Sequence, residues 1–185
     1  TGIFLDQKEV RGRLVDGFAV GKTVLNMFSY TGAFSVAAAM GGAVATTSVD
    51  LAKRSLPKTT EQFEVNHLNL APQKIIVMDV FDYFKYASRK GLSYDMIILD
   101  PPSFARNKKK VFSVAKNYGE LVKDSIDILT DKGTLIASTN AANLSLAKYQ
   151  KMVITALQEK NVRYKITDTY QLPADFQVNP NFPEG

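Results

Sequence analysis

Three short apolar runs, each ending in an aspartate, constrain this chain more than any other feature: "VATTSVD" closes on Asp50, "KIIVMD" on Asp79 and "DMIILD" on Asp100. Runs of this length, rich in Val, Ile and Thr, read as strands, and segments of helical period separate them. That alternation specifies βα units wound about a mostly parallel sheet, an α/β fold with helices on both faces. Ligands of open parallel sheets bind outside the carboxyl ends of the strands, at the switch point. Asp50, Asp79 and Asp100 are therefore expected at one rim. A single acid there is ordinary as a cap or turn residue; three in register predict a pocket.

The remaining elements follow from periodicity and punctuation. Asp6 with Glu9 three residues on has capping-box spacing, opening a helix whose apolar face is Val10, Leu14, Val15 and Phe18. Strands are expected over 23–28, 44–49, 74–78, 95–99, 134–138 and 163–169. An alanine-rich helix ends at Gly41 and Gly42. The next begins at Pro57, which suits a first turn, and reaches about His67. Further helices are expected through "FDYFKYASRK", over 118–129 after a long loop, and over 145–160.

Composition narrows the chemistry. The chain has 185 residues, 45% of them hydrophobic, enough for one core and a single domain spanning 1–185. It has no cysteine, which removes disulfides, thiolate zinc sites and cysteine nucleophiles, and its one histidine leaves no histidine metal centre. No apolar run suffices for a membrane span and "TGIFLDQKEV" is no signal peptide, so a cytoplasmic location is expected. The net charge of +5 includes a cluster, Arg106, Lys108, Lys109 and Lys110, suited to nucleic-acid phosphates. "QLPADFQVNPNFPEG" is loop-like where such a sheet would gain another strand, so a longer protein is expected.

The first turn selects the ligand. A strand, "SYTGAF", a helix and then an acid 21 residues after Ser29 follow the layout of a nucleotide site. The fingerprint G-x-G-x-x-G is absent, which disfavours the pyrophosphate of NAD. An adenosine without phosphates fits better, as in S-adenosylmethionine. Asp50 would accept from the ribose hydroxyls and Asp79 from the adenine amino group. Gly32 would let the backbone pass close to the methionine portion, whose carboxylate helix-end N–H groups would hold.

"TGIFLDQKEVRG", "VLNMFSYTGAFSVAAAMGGA", "SVDLAKRSL" and "DPPSFARNKKK" together resemble the catalytic domain of bacterial class I S-adenosylmethionine-dependent 23S rRNA methyltransferases. The nearest branches are the cytosine-C5 enzymes and the guanine-N7 domain of a bifunctional enzyme. The resemblance implies a Rossmann-like sheet of order 3-2-1-4-5-7-6. Its seventh strand, and the N-terminal RNA-binding domain of the cytosine-C5 relatives, are missing here. The open edge could pair with a second copy in a homodimer. The implied cofactor site comprises Phe28, Ser29, Tyr30, Thr31 and Gly32, then Asp50, Asp79 and Asp100, with Gln7 and Arg11 toward the methionine end.

The same resemblance places the target base at Asp100, Pro101 and Pro102, with Phe104 stacking on it or packing in the core, and phosphates on the lysine cluster. Cytosine-C5 methylation needs a cysteine thiolate after strand five. "IASTNAANLS" puts Asn140 there, which favours a ring nitrogen such as guanine N7, unless Asn140 only caps the turn. The expected function is methylation of a 23S rRNA base, with no metal. The alternatives are a methyltransferase for another RNA or DNA, and a non-catalytic RNA-binding module with the cofactor fold.

Overall fold

A computed structural model describes residues 2–106, 111–141 and 144–175. The chain enters through a 3-10 turn, Leu5–Gln7, then α1 (Lys8–Arg13) and a wider π turn, Leu14–Phe18. It continues as β1 (Thr23–Met27), α2 (Ala33–Met40), β2 (Ala45–Asp50), α3 (Ser55–Val65), β3 (Gln73–Val77), α4 (Val80–Arg89) and β4 (Tyr94–Leu99). A hairpin, β5 (Phe104–Arg106) with β6 (Val111–Ser113), leads into α5 (Val114–Ile126), β7 (Leu129–Ala137) and α6 (Leu146–Glu159).

Among the described residues the main sheet has order β3-β2-β1-β4-β7, with every pair parallel. Side chains alternate between its faces, as the strand period of two requires. Leu25, Met27, Ile97 and Leu99 point into a core shared with Tyr83 and Phe84 of α4 and Tyr118 and Leu121 of α5. Their neighbours Val24, Met96 and Ile98 meet Leu14, and Phe34 and Ala38 of α2, on the other face. All of these strand residues are fully buried, each contributing about 1.5–3 kcal/mol against exposure.

Four expectations need correction. Asp6 and Glu9 form no capping box: neither the 3-10 turn nor α1 has a side-chain cap, and Asp6 turns toward a cavity. Of the apolar face assigned to that helix, Val10 and Leu14 are buried but Val15 is exposed, because the π turn rotates it outward. Second, α3 begins before Pro57, which occupies the third helical position; the first N–H groups of a helix lack partners anyway, so its missing donor is harmless. Third, the long loop contains the β5–β6 hairpin, and α5 starts at Val114. Fourth, residues 163–169 form no strand: they run exposed, and Arg13 ties the segment down through Asp168 (3.1 Å) and Tyr170 (3.0 Å). In the expected order their neighbour is a seventh strand, and no described residues supply one beside β7.

Candidate active site

The carboxyl ends of β1, β2, β3 and β4 open into a cavity of about 520 Å³. Asp50, Asp79 and Asp100 all line it. The position follows from the parallel register: Met27 pairs with Val49 and Leu99, and Asp50 with Val77, so the residues leaving these strands share one rim.

The turn after β1 forms the centre of the floor, with Phe28, Ser29, Tyr30 and Thr31 lining the cavity. Phe28 and Tyr30 have φ of 59° and 49°, left-handed conformations that bulky side chains rarely adopt. Such strain persists only where surroundings hold it, and it gathers at functional sites. Here the holder is Asp50: Oδ2 accepts from Tyr30 N–H at 2.9 Å and Oδ1 from Ala52 N–H at 2.8 Å. Each bond fixes one carboxylate oxygen and leaves it a second lone pair for a ligand.

Gly32, with φ 77°, is the residue before α2 and lies outside the cavity wall. A methyl group at Gly32 would come within 2.4 Å of Thr59 Cγ2, so glycine here lets α2 and α3 approach. The next residues, Ala33 and Phe34, do line the cavity, and no side chain caps the α2 N-terminus. Its first N–H groups are therefore suited to a carboxylate.

Asp79 is both wall and cap. Its Oδ1 accepts from Phe81 N–H (3.0 Å) and Asp82 N–H (3.4 Å), starting α4. Val80 and Phe81 continue the wall, and Phe112 of β6 packs against both Phe28 (5.9 Å) and Phe81 (6.1 Å). This apolar surface suits an adenine ring. Phe112 is not legible in the sequence, because its hairpin strands are three residues long and read as loop. Nor is the place of Ile3, Phe4 and Arg54 in the cavity lining. Phe4 reaches it because its ring meets Tyr30 at 5.6 Å and Thr31 Oγ1 donates to Gly2 O at 2.6 Å.

At the other end lies Asp100. Ser138 Oγ donates to its Oδ1 at 2.7 Å, and Gln7 Nε2 approaches the same oxygen at 3.5 Å. Burial pushes the Asp100 carboxyl up from the usual aspartate value, and the Ser138 hydrogen bond opposes the rise. Arg11 lines the same end; burial pushes its guanidinium down, against the pull of Asp6 and Asp100. Behind Asp100, Tyr118 donates to Ser138 O at 2.8 Å and accepts from Tyr149 at 2.8 Å, so α5 and α6 brace this corner.

Pro101 and Pro102 follow Asp100 at the cavity mouth. Phe104 stands 61% exposed beside them, so it is not a core residue. Across the mouth, Ser103 Oγ donates to Asn140 Oδ1 at 3.0 Å. In the same turn Ala141 N–H donates to Thr139 Oγ1 at 3.2 Å. Lys108, Lys109 and Lys110 lie outside the described residues, as does the Arg106 side chain. No metal-binding cluster and no helix long and apolar enough to cross a membrane occur among the described residues.

The cavity thus offers carboxylates at Asp50 and Asp79, an apolar wall of Phe28, Phe81 and Phe112, an α2 N-terminus with no side-chain cap and the half-buried carboxylate of Asp100. These features fit the ribose, adenine, carboxylate and cationic end of S-adenosylmethionine. Comparisons with known proteins point to the same cofactor. YwbD of Bacillus subtilis, provisionally named a ribosomal RNA large subunit methyltransferase, is 57% identical over 185 residues, all of this chain and 47% of its own. A ribosomal RNA large subunit methyltransferase of Deinococcus radiodurans is 35% identical over 89% of this chain and 40% of its own. The crystal structure of SMU.776, provisionally named a methyltransferase and complexed with SAH, matches with a TM-score of 0.93 at 57% identity, covering 98% of this chain and 47% of that one. The chain spans about half the length of the relatives it matches. Residues 1–166 fit the family model of S-adenosylmethionine-dependent methyltransferases, and the chain belongs to that family.

Proposed function

We propose that the protein carrying this chain methylates a base of large-subunit ribosomal RNA at a ring nitrogen, with guanine N7 the favoured atom. The observation that carries the reading is the convergence of Asp50, Asp79 and Asp100 on one cavity whose mouth is built from Pro101, Pro102 and Asn140. The names of the Bacillus and Deinococcus relatives support ribosomal RNA as the substrate.

S-adenosylmethionine, when bound, supplies an electrophilic methyl on a positively charged sulfur. Asp50 would hold the ribose, Asp79 with Phe81 and Phe112 the adenine, and the start of α2 the carboxylate. Asp100, with Gln7 beside it, would face the cationic end. A base entering past Pro101 and Pro102 would stack on Phe104, worth roughly 1–3 kcal/mol. A ring nitrogen would present its own lone pair to that methyl and would need no base catalyst, so positioning by Pro101, Pro102 and Asn140 would be the main contribution.

Two features support nitrogen over cytosine C5. The chain has no cysteine to add to C6. Ser103 engages Asn140 Oδ1, so the amide offers its N–H donors to the base. Donors match an acceptor such as guanine O6, next to N7.

The test is labelled methyl transfer to undermethylated large-subunit rRNA by the whole protein, followed by nuclease digestion and mass spectrometry. 7-Methylguanosine is expected. 5-Methylcytidine would overturn the choice of atom, and no incorporation by folded, cofactor-bound protein would overturn the activity.

A further inference from the structure

We infer that the groove between α5 and α6 is a docking surface for the phosphate backbone of RNA, leading to the cavity mouth. The inference rests on the RNA substrate proposed above and names where that RNA lies beyond the reacting base.

The groove encloses about 700 Å³. Its floor is small or apolar, including Ala115, Gly119, Met152 and Ala156. At Gly119 an added Cβ would meet Ala156 at 3.9 Å, an ordinary packing distance, so the two helices are in contact along the groove. The walls carry four lysines and two glutamates. Lys123 is paired with Glu159 at 2.9 Å, toward the far end. Lys116, Lys148 and Lys151 are exposed and, among the described residues, form no ion pair; Glu120 is the one remaining acid. The charge is thus concentrated at one end.

That end is where the helices begin. Lys116 is the third residue of α5 and Lys148 the third of α6, with Lys151 one turn later. Neither helix has an acidic residue in its first turn. A cation there opposes the helix dipole, whereas an acid would be stabilised by it. Two adjacent helices making the same unfavourable choice create a site of positive potential from side chains and N–H dipoles together, suited to phosphate.

The same end adjoins the active cavity. Phe112, in the cavity wall, precedes Lys116 by four residues, and Asn140 precedes Lys148 by eight. A strand whose base enters beside Pro102 and Asn140 would pass its neighbouring phosphates into the groove. Exposed lysines with long stems suit such contacts, which carry no sequence information but set register.

The experiment compares the whole protein with Lys116→Glu, Lys148→Glu and Lys151→Glu, singly and together. Glutamate at 116 and 148 lies in a first turn and favours the helix, and Lys151 is exposed one turn on, so the fold is retained. Binding to labelled polyuridylate and to undermethylated large-subunit rRNA is measured by anisotropy against salt, and S-adenosylhomocysteine binding by calorimetry. The triple variant is expected to lose on the order of 30-fold in RNA affinity at low salt, and the slope of log affinity against log salt to flatten by about 2, from about 0.7 per phosphate contact. Cofactor affinity stays unchanged. Unchanged RNA affinity and slope in the triple variant, or no RNA binding by the parent protein, overturns the inference. Loss of affinity for intact ribosomal subunits with none for deproteinised RNA overturns it too, in favour of a protein-binding face. If charge reversal weakens RNA binding while the parent transfers no methyl, the groove stands and the proposed activity fails. If the parent methylates rRNA and the triple variant does so with unchanged KM, the activity stands and the groove fails.

Discussion

Two aspartates at opposite ends of β4 respond to pH in opposite directions. Asp95 accepts from Thr23 N–H (2.9 Å), Thr23 Oγ1 (2.8 Å) and Thr130 Oγ1 (3.1 Å), and these bonds, the Thr23 N–H foremost, hold its carboxyl below the usual value. Its contribution to stability is present above the unfolded-state pKa and is lost as pH falls through the lower folded one. Burial raises Asp100 instead, so the folded chain binds that proton more tightly; this favourable contribution is full below the unfolded pKa and disappears as pH rises through the folded value. Asp95→Asn should therefore destabilise at neutral pH and lose its effect in acid. Asp100→Asn should stabilise at neutral pH while methyl transfer collapses, and urea unfolding across pH measures both. Asp50→Ala removes the acceptors proposed for the ribose and frees the strained turn, so S-adenosylhomocysteine affinity should fall about 10- to 100-fold by calorimetry. Both rim acids were legible because strand ends are marked by the apolar runs they close. Asp95 was not, since its partners lie on β1 and β7, remote in the chain.

At the level of elements, the turns are more exacting than the strands. Gly32 combines a left-handed φ with the approach of Thr59. Gly32→Ala should cost about 2–4 kcal/mol by thermal unfolding, and Thr59→Ala in the same chain should recover part of the contact cost but none of the φ cost. Asp79→Ala removes the α4 cap, which should cost about 1 kcal/mol and weaken cofactor binding as well. Strand positions followed from hydrophobic period to within a residue or two, except β7, which begins earlier than expected at Leu129. The β5–β6 hairpin escaped because three-residue strands are too short for any period to register. The segment 163–169 has strand-like alternation, but pairing needs a neighbour, and periodicity cannot say whether one is present.

On the scale of the molecule, the cavity draws on four strand ends and on the segment before α1 at once. Ligand binding should stabilise it cooperatively: S-adenosylhomocysteine at about 100 times its Kd should raise the melting temperature by roughly 5–10 °C, a rise that Asp50→Ala largely abolishes. The α/β class and the rim position were legible because winding a parallel sheet leaves few alternatives. The contacts among distant loops were not, Ser103 with Asn140 above all, because each side chain alone reads as an ordinary turn residue.

The Asp95 bracket joins the starts of β1, β4 and β7, the ends farthest from the cavity. Strain and buried charge are thereby segregated from the anchor that keeps those strands in register. On the function proposed above, substitutions at the mouth would redirect it to a different base without loosening the scaffold, so a lineage built on this frame would change its target one loop at a time.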